Sequence, residues 1–262
     1  MTVGFIGAGR MGRPMVGRLV DAGHDVRVLG RSAETRSAIT QLGAQAVADP
    51  AEVTATADVV VICVLTDEQL LQVCLDGGLL STMTPGSALV VHTTASPRTI
   101  ETIAASADIE LVDAPVSGGP HNAAAGALTL FVGGADEAVA RVRPVLSCYG
   151  DPVMHVGPLG AGQKVKLVNN ALFAAHIGLL SGAVGLGARL GVPESTLLAA
   201  LPHGSAASRV LDMVASGGSV SSFVETAGEF VGKDIAVVRS IAADLGDDLG
   251  VLDVVIDAAV KV

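Results

Sequence analysis

The chain has no tryptophan, one tyrosine and five phenylalanines in 262 residues. A core so short of aromatics must be assembled from Val, Leu, Ile and Ala, which suits strands buried on both faces and closely packed helices. Positive charge is also scarce: 16 Lys and Arg against 26 Asp and Glu give a net charge of −10. Nucleic-acid affinity rests on clustered Lys and Arg, so no nucleic-acid partner is expected, although local donors can still hold one small anion. The three cysteines, Cys63, Cys74 and Cys148, are odd in number, and their spacing fits neither a disulfide framework nor a zinc site. They read as reduced thiols packed as small hydrophobes, with no metal expected. No basic segment precedes the first apolar run, Val3 to Ile6, so a secretory leader is not expected and the chain reads as cytoplasmic. One stretch, Val165 to Leu190, is apolar enough to be mistaken for a membrane span. It carries Lys166, Asn169, Asn170, His176 and Arg189 with many Gly and Ala, so a buried interdomain helix accounts for it better, and no membrane partner is expected.

What is present is apolar: 50% hydrophobic against 16% charged residues, enough for a filled core and contrary to disorder. Up to about residue 155, short β-branched runs alternate with helical segments. Strands are expected at Val3–Ile6, Val26–Leu29, Val59–Val64, Ala88–His92, Glu110–Ala114, Leu128–Val132 and Val153–Val156, with helices such as Met11–Ala22 and Asp136–Cys148 between them. Most of the strands are continuous apolar runs, the mark of a parallel sheet covered on both faces. The rhythm stops at Gly157-Pro158-Leu159-Gly160, and helices follow, with breaks at Gly191-Val192-Pro193, Pro202-His203-Gly204 and Ser216-Gly217-Gly218-Ser219. The expected fold is α/β. A Rossmann-type, doubly wound parallel sheet over 1–159 is followed by a smaller all-α domain over 160–262, joined by a long interdomain helix starting near Gly162.

Gly7-Ala8-Gly9-Arg10-Met11-Gly12 is a G-x-G-x-x-G that directly follows the first strand and opens a helix. Gly7 permits the tight turn, Gly9 lets the backbone approach a pyrophosphate, and Gly12 allows close helix–strand packing. The helix N-terminus adds free N–H groups and partial positive charge. After the second strand, at Leu29-Gly30-Arg31-Ser32, no carboxylate stands where an NAD site places one for the ribose 2′-OH. Arg31 and Ser32 offer a forked cation and a hydroxyl suited to a 2′-phosphate, so NADP is expected over NAD. The plainer alternative is that Arg31 stacks on adenine or faces solvent.

Two downstream segments carry chemistry. Asp113-Ala114-Pro115-Val116-Ser117-Gly118-Gly119 follows a strand, and its turn exposes a hydroxyl and backbone N–H groups able to hold a carboxylate. Gly160 to Asn170 opens the long helix. Lys166 and Asn170, four apart, share one of its faces, whereas Lys164 points elsewhere. Alone, Ser-Gly-Gly is an ordinary turn and Lys166 a solvated lysine.

In combination these segments resemble the β-hydroxyacid dehydrogenase family, which includes 3-hydroxyisobutyrate dehydrogenases. Gly7 to Met15, Asp113 to Gly119, Gly160 to Asn170 and Lys233-Asp234-Ile235 occur in the family's order, and Thr93-Thr94-Ala95-Ser96-Pro97 matches a loop near the nicotinamide. The resemblance implies that Lys166 is the catalytic lysine and that Ser117, Gly118, Gly119 and Asn170 bind a small-molecule substrate. It implies that Leu65, Thr66 and Thr94 line the nicotinamide and its ribose, that Lys233 closes the cleft, and that the chain forms a homo-oligomer, such as a homodimer. The implied reaction is hydride transfer between NADP(H) and a small 3-hydroxy acid or its semialdehyde or keto acid, with Lys166 taking the hydroxyl proton. Phosphogluconate dehydrogenases, related through their NAD-binding domain, carry His where this chain has Asn169. The competing readings are an imine reductase, a class that typically replaces the lysine, and a non-catalytic NADPH-binding sensor. The chain departs from the family at Pro120-His121-Asn122, where His121 reads as a surface loop residue, and over Phe223 to Gly232. It also stops at Val262, where a last family helix is expected to be missing.

Overall fold

The computed structural model describes residues 1–244 and 246–260. The chain divides into two compact units, and the division falls between Lys166 and Leu167, inside a single long helix, Ala161–Arg189.

The first unit is built on nine strands: β1 (Thr2–Ile6), β2 (Asp25–Leu29), β3 (Gln45–Val47), β4 (Val59–Ile62), β5 (Ala88–Val91), β6 (Glu110–Asp113), β7 (Val116–Ser117), β8 (Leu128–Gly133) and β9 (Gly150–Gly157). The first six are parallel in the order β3-β2-β1-β4-β5-β6, with Gly4 of β1 opposite Arg27 on one side and Val60 on the other. This is the doubly wound order, whose direction reverses between β1 and β4 and opens a crevice at the strands' carboxyl ends. Side chains alternate along each strand, so Phe5, Val59, Val61, Ala88 and Val90 enter one hydrophobic cluster. Ile6, Val60, Ile62, Leu89 and Val91 enter the other. Helices cover both faces, which is why these strands read as unbroken apolar runs.

The sheet is not parallel throughout. β8 runs antiparallel to β6 and β7, and β9 runs parallel to β8. The segment 118–127 is shorter than the dozen or more residues a parallel crossover takes, so the chain folds straight back. The expected strands are all present. β3 and β7 were not expected, being three and two residues long, too short to display alternation.

In the second unit every regular element among the described residues is helical: the rest of the long helix, Glu194–Ala200, a 3₁₀ turn at Leu201–His203, Arg209–Gly217, Val220–Asp244 and Val251–Val260. The Gly- and Pro-marked breaks fall where expected. Ile177, Leu198, Val210, Leu211, Val214 and Val220 form its main cluster, with Phe173 and Phe223 edge to face beside it. The long helix, expected to be buried, is only partly so. By length and apolarity it could cross a membrane, and only one face is covered. Gln163, Lys166, Leu167, Asn170, Ala171, Ala174 and Ala175 are buried, while Val168, Leu172, Leu179 and Leu186 are exposed.

Below the crevice, His92 follows β5 as a fully buried imidazole. Its Nδ1 donates to the Ala114 carbonyl, which cannot donate, so its Nε2 accepts from the Tyr149 hydroxyl at 2.9 Å. This neutral tautomer ties the ends of β5 and β6 together. Burial pushes the imidazole from 6.5 down to about 4. A depressed histidine leaves the unfolded chain holding more protons between those values, so stability falls as pH drops from 6.5 towards 4. Denaturant unfolding of the wild type should lose about 2 kcal/mol between pH 7 and pH 5 through this group. His92→Gln should be less stable at pH 7 and lack that component of the slope.

Candidate active site

The turn after β1 shows three glycines with three different reasons. Gly7 has φ +99°, and a Cβ there would collide with the Cys63 carbonyl at the end of β4. A Cβ at Gly12 would strike the Gly7 carbonyl oxygen and the Phe5 ring, so this glycine sets helix–strand packing. Gly9 has no protein atom within 4 Å of a Cβ and no left-handed backbone angle. Nothing in the fold demands glycine at that point, whereas close approach of a pyrophosphate to the backbone would. The helix Gly12–Asp21 has no side-chain cap at Met11 and no acidic residue in its first turn, which leaves its positive end open to an anion. Ala8 is buried and Arg10 exposed on this turn. These features fit a dinucleotide pyrophosphate.

Beyond β2, Arg31 is exposed and lines a groove of about 290 Å³ with Leu29, Ala48, Pro50, Gln72, Val73 and Gly77. Ser32 caps the helix Ala33–Gln41: its Oγ accepts the Thr35 N–H at 3.1 Å and lies 2.9 Å from Thr35 Oγ1. After β4, the Leu65 N–H donates to Gln69 Oε1 and Thr66 caps the following helix. Leu65 is left 51% exposed after β4. Thr93 is buried after β5, where its hydroxyl donates to the Val64 carbonyl at 3.0 Å and accepts the Val64 N–H at 3.1 Å. Thr94, next along, is half-buried. Gly7, Arg31, Leu65, Thr66, Thr94 and Ser117 therefore all follow or end strands on the carboxyl side of the sheet.

The Ser-Gly-Gly turn is less open than expected. Ser117 ends β7, Gly118 has φ +127°, and the Gly119 N–H is taken by Asn122 Oδ1 at 2.9 Å. Pro120-His121-Asn122 opens a short helix, Pro120–Ala125, rather than a surface loop, and His121 is exposed on it.

Lys166 is 9% exposed and Lys164 is exposed, as helix geometry requires of residues two apart. The helix start is fixed by two side chains whose roles were not read from the sequence. Asp113 is fully buried and accepts the N–H groups of Gly160 at 2.6 Å and Gln163 at 2.7 Å. Gly133 and Gly162 leave room for its carboxylate, which a Cβ on either would strike. Burial pushes the Asp113 carboxyl above the usual carboxylate range, opposed by those N–H groups. Gln163 is bound on both sides of its amide.

In the second unit, Asn170 is 7% exposed, and its Nδ2 donates to Asp234 Oδ2 at 2.6 Å. Lys233 Nζ lies 3.1 Å from Asp234 Oδ1 as an ion pair. Asn169 Nδ2 donates to Asn170 Oδ1 at 3.2 Å. Lys233 and Asn170 are thus brought together through Asp234, a further residue with no assigned role at the sequence level.

Comparison with known proteins agrees with this geometry. Residues 2–157 match the family model described as the NAD binding domain of 6-phosphogluconate dehydrogenase. Residues 160–258 match the one described as NAD-binding of NADP-dependent 3-hydroxyisobutyrate dehydrogenase. The class is that of two-unit nicotinamide-dinucleotide-binding proteins, and the chain belongs to the β-hydroxyacid dehydrogenase family. It is 32% identical to 2-(hydroxymethyl)glutarate dehydrogenase of Eubacterium barkeri over 74% of this chain and 66% of that one. It spans 59–66% of the length of three curated relatives it matches. A solved Mycobacterium tuberculosis 3-hydroxyisobutyrate dehydrogenase with L-serine superposes with TM-score 0.88 at 27% identity, covering 99% of this chain and 92% of that one. An imine reductase from Pseudomonas sp. shares the fold alone, with TM-score 0.66 at 20% identity over 89% of this chain and 78% of that one.

The glycine contrast is testable. Gly7→Ala should destabilise the fold by about 2 kcal/mol or more through strain and collision. Gly9→Ala should leave the unfolding midpoint within about 0.5 kcal/mol of wild type while weakening binding of the nicotinamide dinucleotide by roughly tenfold or more. Equal effects of both substitutions on stability, with dinucleotide affinity unchanged by Gly9→Ala, would remove the cradle from the dinucleotide site.

Proposed function

We propose that the protein is an NADP-dependent dehydrogenase interconverting a small 3-hydroxy acid and its semialdehyde or keto acid. The observation that carries this reading is Lys166, held almost out of water in the second turn of a helix whose start is pinned to the cofactor-binding unit. A lysine amine is a proton acceptor of the kind this reaction needs. In oxidation Lys166 Nζ takes the proton of the substrate hydroxyl while the carbon gives up hydride; in reduction it returns the proton to the new alkoxide oxygen. The nicotinamide, when bound, supplies the hydride acceptor or donor. Ser117 and Gly118 of the first unit and Asn170 of the second are the residues we assign to substrate binding. The Gly119 N–H serves the turn itself, through Asn122.

The names of the relatives support a narrower substrate class. 3-Hydroxyisobutyrate, 2-(hydroxymethyl)glutarate and L-serine each carry a hydroxymethyl group on the carbon next to a carboxylate. We take that unit as what this protein recognises. Arg31 supports NADP, as an exposed forked cation just past β2, where Gly30-Arg31-Ser32 holds no Asp or Glu. The retained Lys166 and the distant likeness to imine reductases favour C–O over C=N chemistry.

A panel of such acids with NADP⁺ or NAD⁺ tests the reading. Turnover should require Lys166: Lys166→Ala should lower kcat by about 10³-fold or more with NADP⁺ binding intact. Arg31→Ala should raise KM for NADP⁺ about tenfold and leave NAD⁺ little changed. Turnover surviving in Lys166→Ala, or confined to cyclic imines, contradicts the assignment.

The expected homo-oligomer is also proposed, through the exposed face of the long helix. Val165, Leu172, Leu179 and Leu186 recur there every seven residues, a seam that a second copy covers by the same surface. Light scattering should give a multiple of the chain mass, and Leu179→Glu should shift it towards the single chain.

A further inference from the structure

Gln163 is fully buried one turn before Lys166. Its Oε1 accepts the Ala95 N–H at 2.9 Å and its Nε2 donates to the Thr93 carbonyl at 2.9 Å, so one side chain straddles Thr94. Its own N–H is held by Asp113. Thr93 continues the chain of bonds to Val64, next to Leu65 and Thr66. A primary amide pairs with a backbone donor and a backbone acceptor at once while carrying no charge. Glutamate at that position would turn a carboxylate oxygen towards the Thr93 carbonyl, and leucine would leave both backbone groups unpaired in the interior.

We propose that Gln163 is a positioning residue for hydride transfer. It clamps the Thr93–Ala95 loop to the helical turn that precedes Lys166, so that the loop beside the nicotinamide and the proton-accepting amine keep one spacing. The inference rests on the dehydrogenase reading above. Reaction rates depend steeply on that spacing, since a misplacement of about 1 Å can cost roughly 10²-fold.

The test uses the full chain with NADP⁺ and the best acid of the panel, comparing wild type, Gln163→Leu and Gln163→Glu. Gln163→Leu should lower kcat by about 10- to 100-fold with KM changed by less than about threefold. Amide exchange of residues 93–96, followed by mass spectrometry, should accelerate. Gln163→Glu keeps the bond from Ala95 and lacks the donor to Thr93 until its carboxyl is protonated. Its kcat relative to wild type should therefore recover as pH falls from about 8 to about 6, where that of Gln163→Leu stays low. A simple packing role would show no such recovery. Wild-type kcat in Gln163→Leu, or unchanged exchange at 93–96, overturns the proposal. If Gln163→Leu does not fold, the pH recovery of Gln163→Glu decides alone, its absence counting against the clamp. If the wild type shows no lysine-dependent turnover, the dehydrogenase reading fails separately. The clamp is then judged on exchange: NADP⁺ should slow residues 160–166 in wild type and not in Gln163→Leu, and equal slowing in both overturns it.

Discussion

The first unit depends on one buried carboxylate. Asp113 ends β6, out of water, and receives the first N–H groups of the long helix at Gly160 and Gln163. A helix start leaves donors without intrahelical partners, and a buried carboxylate needs donors, so each satisfies the other. The match needs glycine at 133 and 162, because side chains at either would occupy the carboxylate's place. It fixes where the helix begins and therefore where Lys166 stands. Burial raises the Asp113 pKa, and the N–H donors oppose that shift.

Around that anchor the loops at the carboxyl ends of the strands are cross-linked by side chains rather than left independent. Thr93 grips Val64, Gln69 grips Leu65, and Asp67 accepts from the Ser96 N–H and the Thr99 hydroxyl. Loops that bind a ligand on a rigid sheet gain precision from such ties without losing reach. The glycine turn after β1 is tied by Arg13, whose Nε donates to the Ala8 carbonyl, while the helix it opens has no side-chain cap at Met11.

Much of this was legible in the residues. Continuous apolar runs marked the buried strands, the three glycines marked the turn between β1 and its helix, and helix geometry separated Lys166 from Lys164. What escaped has common physical causes. β3 and β7 are too short to carry a period. The reversal at β8 follows from a connection length that the strand pattern does not display. Asp113 and Gln163 work through partners 47 and 70 residues away, and no local spacing reports such pairings. The Gly119 N–H read as free because its Asn122 cap depends on a helix start that the family pattern did not foretell. The long helix read as buried because composition gives apolarity without saying which faces are covered.

The pairing of Tyr149 with His92 has an optical consequence. With no tryptophan and this single tyrosine, nearly all of the chain's near-ultraviolet emission originates at one phenol in the first unit, hydrogen-bonded to an imidazole. Among aromatic side chains the helical unit holds only phenylalanine. Intrinsic fluorescence is therefore a reporter of the dinucleotide-binding unit alone, and unfolding or rearrangement confined to the helices passes in the dark.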